Sequence, residues 1–87
     1  MLDKSSKTKA LHRIKIIQGH TKAVERMIDG GDYCVDILHQ SRAVQTALRK
    51  LDLFILENHL KTCVVDQIQN KEEDKTVKEL LTLYEVS

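Results

Sequence analysis

The chain has no proline and no tryptophan, and only three of its 87 residues are glycine. Proline and glycine are the residues that most strongly interrupt a helix, so long stretches carry no breaker. The positions are filled instead by Leu, Lys, Glu, Gln and Ala, all good helix formers. An all-α chain is expected. No run approaches the ~18 apolar residues that a membrane span requires. The opening Met1-Leu2-Asp3-Lys4-Ser5-Ser6-Lys7 has no apolar core of a secretory signal. Cysteine is scarce, with Cys34 and Cys63 the only two. Without a secretory signal they point to a reducing cytoplasm, where metal binding or redox sensing is expected over a structural disulfide. No acid/base constellation suggests an enzyme. No helix-turn-helix or zinc-finger spacing is present.

Apolar spacing divides the chain into three helices, with a long central one. The first is expected from about Thr8 to Ile28, where Ile14, Ile17, Val24 and Ile28 form one stripe. Gly30-Gly31 should end it, and Asp32 should cap the next helix. From Tyr33 to about Asn70 there is neither Gly nor Pro. Ile37, Val44, Leu48, Leu51 and Ile55 make a seam near heptad spacing, flanked by Leu38, Ala47 and Phe54. This stretch is expected as one unbroken helix. The polar run Asn70–Lys75 is a turn, and a short third helix follows with Val77, Leu80, Leu81 and Tyr84 on its apolar side. The whole of 1–87 is expected to act as one helical domain, with residues 1–7 flexible. A core this small makes oligomerisation a natural way to bury more apolar surface.

A formal net charge of +1 hides an asymmetry. Residues 1–31 carry seven Lys/Arg against three acids, whereas residues 66–87 carry three lysines against six acids. A basic first helix and an acidic tail suit an anionic partner at one end, although solvated helix faces give the same pattern.

The candidate site is His59-Leu60-Lys61-Thr62-Cys63. Residues at i and i+4 share a helix face, so imidazole and thiol can grip one ion. With Cys34 as a third donor, two thiolates and an imidazole suit Cu(I), with Zn(II) or Ni(II) as competitors. On one continuous helix Cys34 and His59 would lie roughly 38 Å apart at 1.5 Å per residue. They cannot then hold the same ion within one chain. An antiparallel partner helix would bring Cys34 of one subunit beside His59 and Cys63 of the other, and a two-fold dimer would make two such sites.

Several segments together resemble the copper-sensing operon repressor family. Arg13-Ile14-Lys15-Ile16-Ile17-Gln18-Gly19-His20 is similar to its basic first-helix motif. Tyr33-Cys34-Val35-Asp36-Ile37-Leu38 is similar to its cysteine motif, Ala43-Val44-Gln45 falls where its second helix continues, and Glu57–Val64 resembles its H-x-x-x-C segment. The resemblance implies an antiparallel helical-bundle dimer, paired into a tetramer. It implies that the apo form binds operator DNA and that the effector releases it. It assigns Cys34, His59 and Cys63 as trigonal Cu(I) ligands. It places Tyr33 and Glu79 around them, with the Glu79 carboxylate accepting the free N–H of His59. Relatives that sense nickel or cobalt have a histidine where this chain has Leu2. Formaldehyde sensors lack the last cysteine and persulfide sensors lack the histidine, whereas Cys63 and His59 are both present here. His39 and Arg42 depart from the family's pattern.

Arg13, Lys15 and Lys22 on the first helix and Arg49 and Lys50 on the second form the basic surface expected to meet DNA phosphates. Arg13 and the Arg49-Lys50 pair match positions the family uses. His12 and His20 are read as surface or DNA-facing residues. The expected partners are operator double-stranded DNA and further copies of the chain, with no membrane and no small-molecule substrate. Two other functions fit the same residues: a thiol or persulfide sensor using Cys34 and Cys63, and a cytoplasmic copper buffer with no DNA target.

Overall fold

A computed structural model describes residues 2–86. Helix α1 spans Lys4–Asp29 and α2 spans Cys34–His59. A π-helical turn, Leu60–Val64, leads into the short α3, Val65–Gln69, and α4 spans Glu73–Val86. Among the described residues there is no strand. The helical path from Cys34 to Gln69 is the long central segment, so three helical segments are observed.

Helix α1 starts four residues before the expected Thr8, inside the stretch expected to be flexible. Asp3 is the reason. Its carboxylate accepts the Ser6 backbone N–H at 2.7 Å and satisfies one of the unpaired donors of the first turn. That backbone hydrogen bond holds the Asp3 carboxyl below its ordinary range, with a further contribution from the Ser6 side chain.

The other end of α1 falls at Gly30-Gly31. Gly31 takes φ +68°, and the N–H groups of Asp32 and Gly31 donate to the carbonyls of Met27 and Ile28. This is the 6→1 and 5→2 bond pair of a Schellman closure. Helix α2 then starts at Cys34, so Tyr33 flanks it and its carbonyl accepts the Ile37 N–H. Asp32 lies one position further out than a cap would.

The expected single central helix is interrupted at Leu60–Val64. The hydrogen bonds there close a wider turn, as π-bulges inside α-helices do. The Thr62 hydroxyl donates to the Asn58 carbonyl at 2.7 Å, a back-bond that competes with the regular ladder.

The described chain separates into two compact units, Leu2–Ile55 and the described stretch from Leu56 onward, with the boundary inside α2. In the first, Ala10 and Ile17 of α1 and Leu51 of α2 form a buried cluster. Leu2, Ile14, Val44, Ala47 and Phe54 pack against it. In the second, Val64 and Thr76 are buried. Thr76 is 4% exposed, and its hydroxyl lies 2.6 Å from Gln67 Oε1 and 3.1 Å from the Glu72 carbonyl. This ties α4 to α3. A large part of the expected apolar stripes, though less than half, remains open: Ile28, Leu48, Ile55, Val77, Leu81 and Tyr84 are all exposed.

Candidate metal centre and nucleic-acid interface

Each metal-donor candidate sits at a helix boundary. Cys34 is the first residue of α2 and His59 its last, while Cys63 lies in the π-helical turn. Cys34 is exposed, and His59 and Cys63 are half-buried. Neither cysteine is committed to a disulfide. Among the described residues, no three His, Cys, Asp or Glu side chains converge closely enough to hold an ion. One chain therefore brings His59 and Cys63 onto one turn of backbone but leaves Cys34 at the far end of a 26-residue helix.

The turn that carries Cys63 is more irregular than an i,i+4 pair on a rigid helix requires. The Thr62 hydroxyl lies 3.7 Å from Cys63 Sγ, a longer and weaker approach than its 2.7 Å bond to the Asn58 carbonyl. Glu57 and Lys61 bridge the same turn on its outer side at 2.8 Å. The hydrogen bond from Lys61, and then its charge, hold the Glu57 carboxyl below the ordinary range.

Tyr33 is 70% exposed beside Cys34. Glu79 is on α4, also exposed, with Oε1 4.0 Å from Lys75 Nζ. Among the described residues Glu79 meets its own-helix lysine and not His59. A pair this long and this solvated holds the carboxylate only loosely.

The nominated basic residues Arg13, Lys15, Lys22, Arg49 and Lys50 are all exposed. Lys15 and Lys22 border an open groove of about 680 Å³ along α1, which Ile14, Ile17 and Gln18 share with Leu48 of α2. Arg49 Nη2 donates to Thr46 Oγ1 at 3.4 Å, a long contact. Arg13 stacks over the Phe54 ring, 4.8 Å from its centroid. Among the described residues the ion pairs are Lys61–Glu57 and Lys75–Glu79, so none of the five nominated cations is neutralised.

Sequence reasoning missed three ties. His20 is half-buried rather than simply surface-facing, and its Nε2 lies 2.7 Å from Gln40 Oε1 on α2. The Arg13–Phe54 stack and the Thr76–Gln67 bond also join separate helices. The only signal for Phe54 was its place beside the α2 seam. Leu2, where nickel- and cobalt-sensing relatives have a histidine, is an apolar residue packed on the α1–α2 cluster.

A helical chain with soft donors at helix boundaries and unpaired cations on its first hairpin is that of a small ligand-responsive regulator. The metal-sensitive transcriptional repressor family matches residues 6–85, and the chain belongs to that family. Membership makes it a regulator rather than an enzyme. It is similar to the copper-sensing transcriptional repressor CsoR of Bacillus subtilis, 39% identical over 83 residues, covering 93% of this chain and 82% of that one. The CsoR of Mycobacterium tuberculosis is 34% identical over 77 residues, and the match covers 88% of this chain but only 65% of that longer protein. The crystal structure of the copper-sensing repressor CsoR with Cu(I) from Geobacillus thermodenitrificans has the same fold. Its TM-score is 0.91 at 30% identity, with 98% of this chain and 88% of that one covered.

Proposed function

We propose that this chain is a Cu(I)-responsive transcriptional repressor whose metal site is shared between two subunits. Residues 1–87 act as one metal-sensing, DNA-binding domain in the cytoplasm. The observation that carries the reading is the donor set: two thiols outside any disulfide and an imidazole, with Cys34 and His59 at the two ends of α2 and Cys63 in the turn that follows, in a chain whose relatives are named copper sensors. Zn(II) and Ni(II) compete in vitro, but two thiolates favour the softer ion. A thiol or persulfide sensor has no use for His59, and a copper buffer has no use for the unpaired cations.

The exposed apolar surface supports assembly. Among the described residues four hydrophobic side chains are buried, whereas sixteen large ones are exposed. A chain with so small a core gains stability by covering those faces with further copies. In an antiparallel dimer, Cys34 of one subunit meets His59 and Cys63 of the other, and a dimer of dimers presents several copies of the basic hairpin to one operator.

Cys34 of one subunit with His59 and Cys63 of the other would hold Cu(I), a soft cation suited to two thiolates and an imidazole. To ligate, Cys34 and Cys63 give up their thiol protons and His59 stays neutral. In this reading Glu79 leaves its loose contact with Lys75 and accepts the other ring N–H of His59, and Tyr33 flanks Cys34. Arg13, Lys15, Lys22, Arg49 and Lys50 neutralise phosphates in the apo state, which makes operator binding steeply salt-dependent. The ligand acts by preferring the state of low DNA affinity, and linkage requires DNA to weaken Cu(I) binding by the same factor.

Subunit sharing is tested by complementation. Cys34→Ser and Cys63→Ser chains each lose the three-donor site. Mixed and allowed to exchange subunits, they regain one intact site per mixed dimer, because the retained Cys34 and the retained His59–Cys63 pair belong to opposite chains. X-ray absorption at the copper edge of the mixture should recover a component with two sulfur donors and one nitrogen donor. Failure of the mixture to regain any such component would place the site within one chain or dissolve it.

A further inference from the structure

Arg13 is the one nominated phosphate contact that rests on a platform. Its Cζ lies 4.8 Å from the Phe54 ring centroid, and the contact crosses from α1 to α2. Phe54 in turn packs against the cluster of Ala10, Ile17 and Leu51, so the ring that receives the guanidinium is itself held. A cation–π contact with a ring does not consume all five N–H donors of a guanidinium, so donors remain for a second partner. No carboxylate pairs with Arg13 among the described residues. Its charge is therefore undiminished while its side-chain freedom is reduced before any ligand arrives, which is the condition for a pre-organised contact. Arg49 has only the long 3.4 Å hydroxyl contact with Thr46 on its own helix.

We infer that Phe54 is a positioning residue for DNA binding, holding the Arg13 guanidinium oriented toward a backbone phosphate. The inference rests on the reading of Arg13 as a phosphate contact given above. A free arginine on an exposed helix must lose rotamer freedom on binding, whereas one stacked on a fixed ring has already lost part of it. A ring-less apolar side chain at position 54 still covers the core but provides no π face.

The test is operator affinity of the reduced, metal-free full chain for a fluorescein-labelled duplex carrying its own promoter, read by anisotropy over a salt series. Phe54→Leu should weaken binding about two- to five-fold per Arg13 contact, the range for an exposed cation–π pair. Arg13→Ala, which removes the phosphate contact itself, should also flatten the salt dependence. Phe54→Tyr, which keeps the ring, should bind like wild type. In an Arg13→Ala background, Phe54→Leu should cost nothing further. Phe54→Met is a second ring-less variant of similar volume should the leucine variant fold poorly. If Arg13→Ala binds like wild type, or wild type ignores the duplex, the reading of Arg13 falls and the inference with it. If Arg13→Ala weakens binding but the ring-less variants do not, the inference alone is overturned. An equal loss in both Arg13 backgrounds would make Phe54 a packing residue only.

Discussion

Two corners of this chain close a helix with the same backbone bonds and different side chains. At the first, Gly31 has φ +68°, and Asp32 and Gly31 donate to Met27 and Ile28 at 3.0 and 3.2 Å. At the second, Lys71 has φ 60°, and Glu72 and Lys71 donate to Gln67 and Ile68 at 2.7 and 3.1 Å. Glycine adopts the left-handed region without a Cβ clash, whereas lysine is strained there. What the second corner has in exchange is the buried Thr76 hydroxyl, which ties α4 back to Gln67 and Glu72. One corner is made by backbone freedom and the other is held against strain by a side chain. The difference falls between the two units: the glycine corner lies in Leu2–Ile55, and the lysine corner lies in the stretch that also carries His59 and Cys63.

Thr76→Val should break this contrast most severely. It keeps the shape but strips the hydroxyl from a buried tie and leaves the Gln67 carbonyl oxygen without that donor. A loss of about 1–3 kcal/mol is expected, read as a lower urea midpoint at fixed protein concentration. An unchanged midpoint would mean the tie does not hold the corner. Gly31→Ala comes next. A Cβ there meets nothing within 4 Å, so the cost is backbone strain alone, about 1–2 kcal/mol. A larger loss would show that more than backbone strain is involved.

Lys71→Gly should act in the opposite direction. Relief of the left-handed lysine, less the added freedom of the unfolded chain, should stabilise by about 0.5–1 kcal/mol. Destabilisation would show that the lysine side chain contributes more than its strain costs. The smallest effect belongs to the start of α1. The Asp3 carboxyl is lowered by the Ser6 backbone N–H, so its contribution is present above the unfolded-state value and is lost as pH falls through the lower folded-state value. Asp3→Asn keeps a cap acceptor but cannot titrate. Its stability should fall less steeply than that of wild type below the ordinary carboxylate range, and parallel acid limbs would contradict this role for Asp3.

The same contrast explains what could be read from the sequence. The end of α1 was legible to within a residue because glycine marks a left-handed position. The polar run after Asn70 was legible as a turn, but α4 already starts at Glu73, since a left-handed lysine carries no signature. The early start of α1 at Lys4 depends on one carboxylate three residues before Ser6, a cap with no preceding helix to frame it. The π-helical turn was hidden because an H-x-x-x-C spacing fits an α-helix equally well. Chemistry and spacing nominate Cys34, His59 and Cys63 as candidate donors, and the structure sets each of them at a helix boundary. The Arg13–Phe54 stack was not, because it depends on the register of α1 against α2, which no local pattern encodes.

The most direct test of the account is an anaerobic Cu(I) titration of the reduced protein bound to a fluorescent duplex carrying its own promoter, with anisotropy and the ultraviolet copper–thiolate absorption followed together. The account predicts that absorption saturates at one Cu(I) per subunit and that anisotropy falls to the free-DNA value over the same additions. Saturating copper–thiolate absorption with the DNA still bound would contradict it.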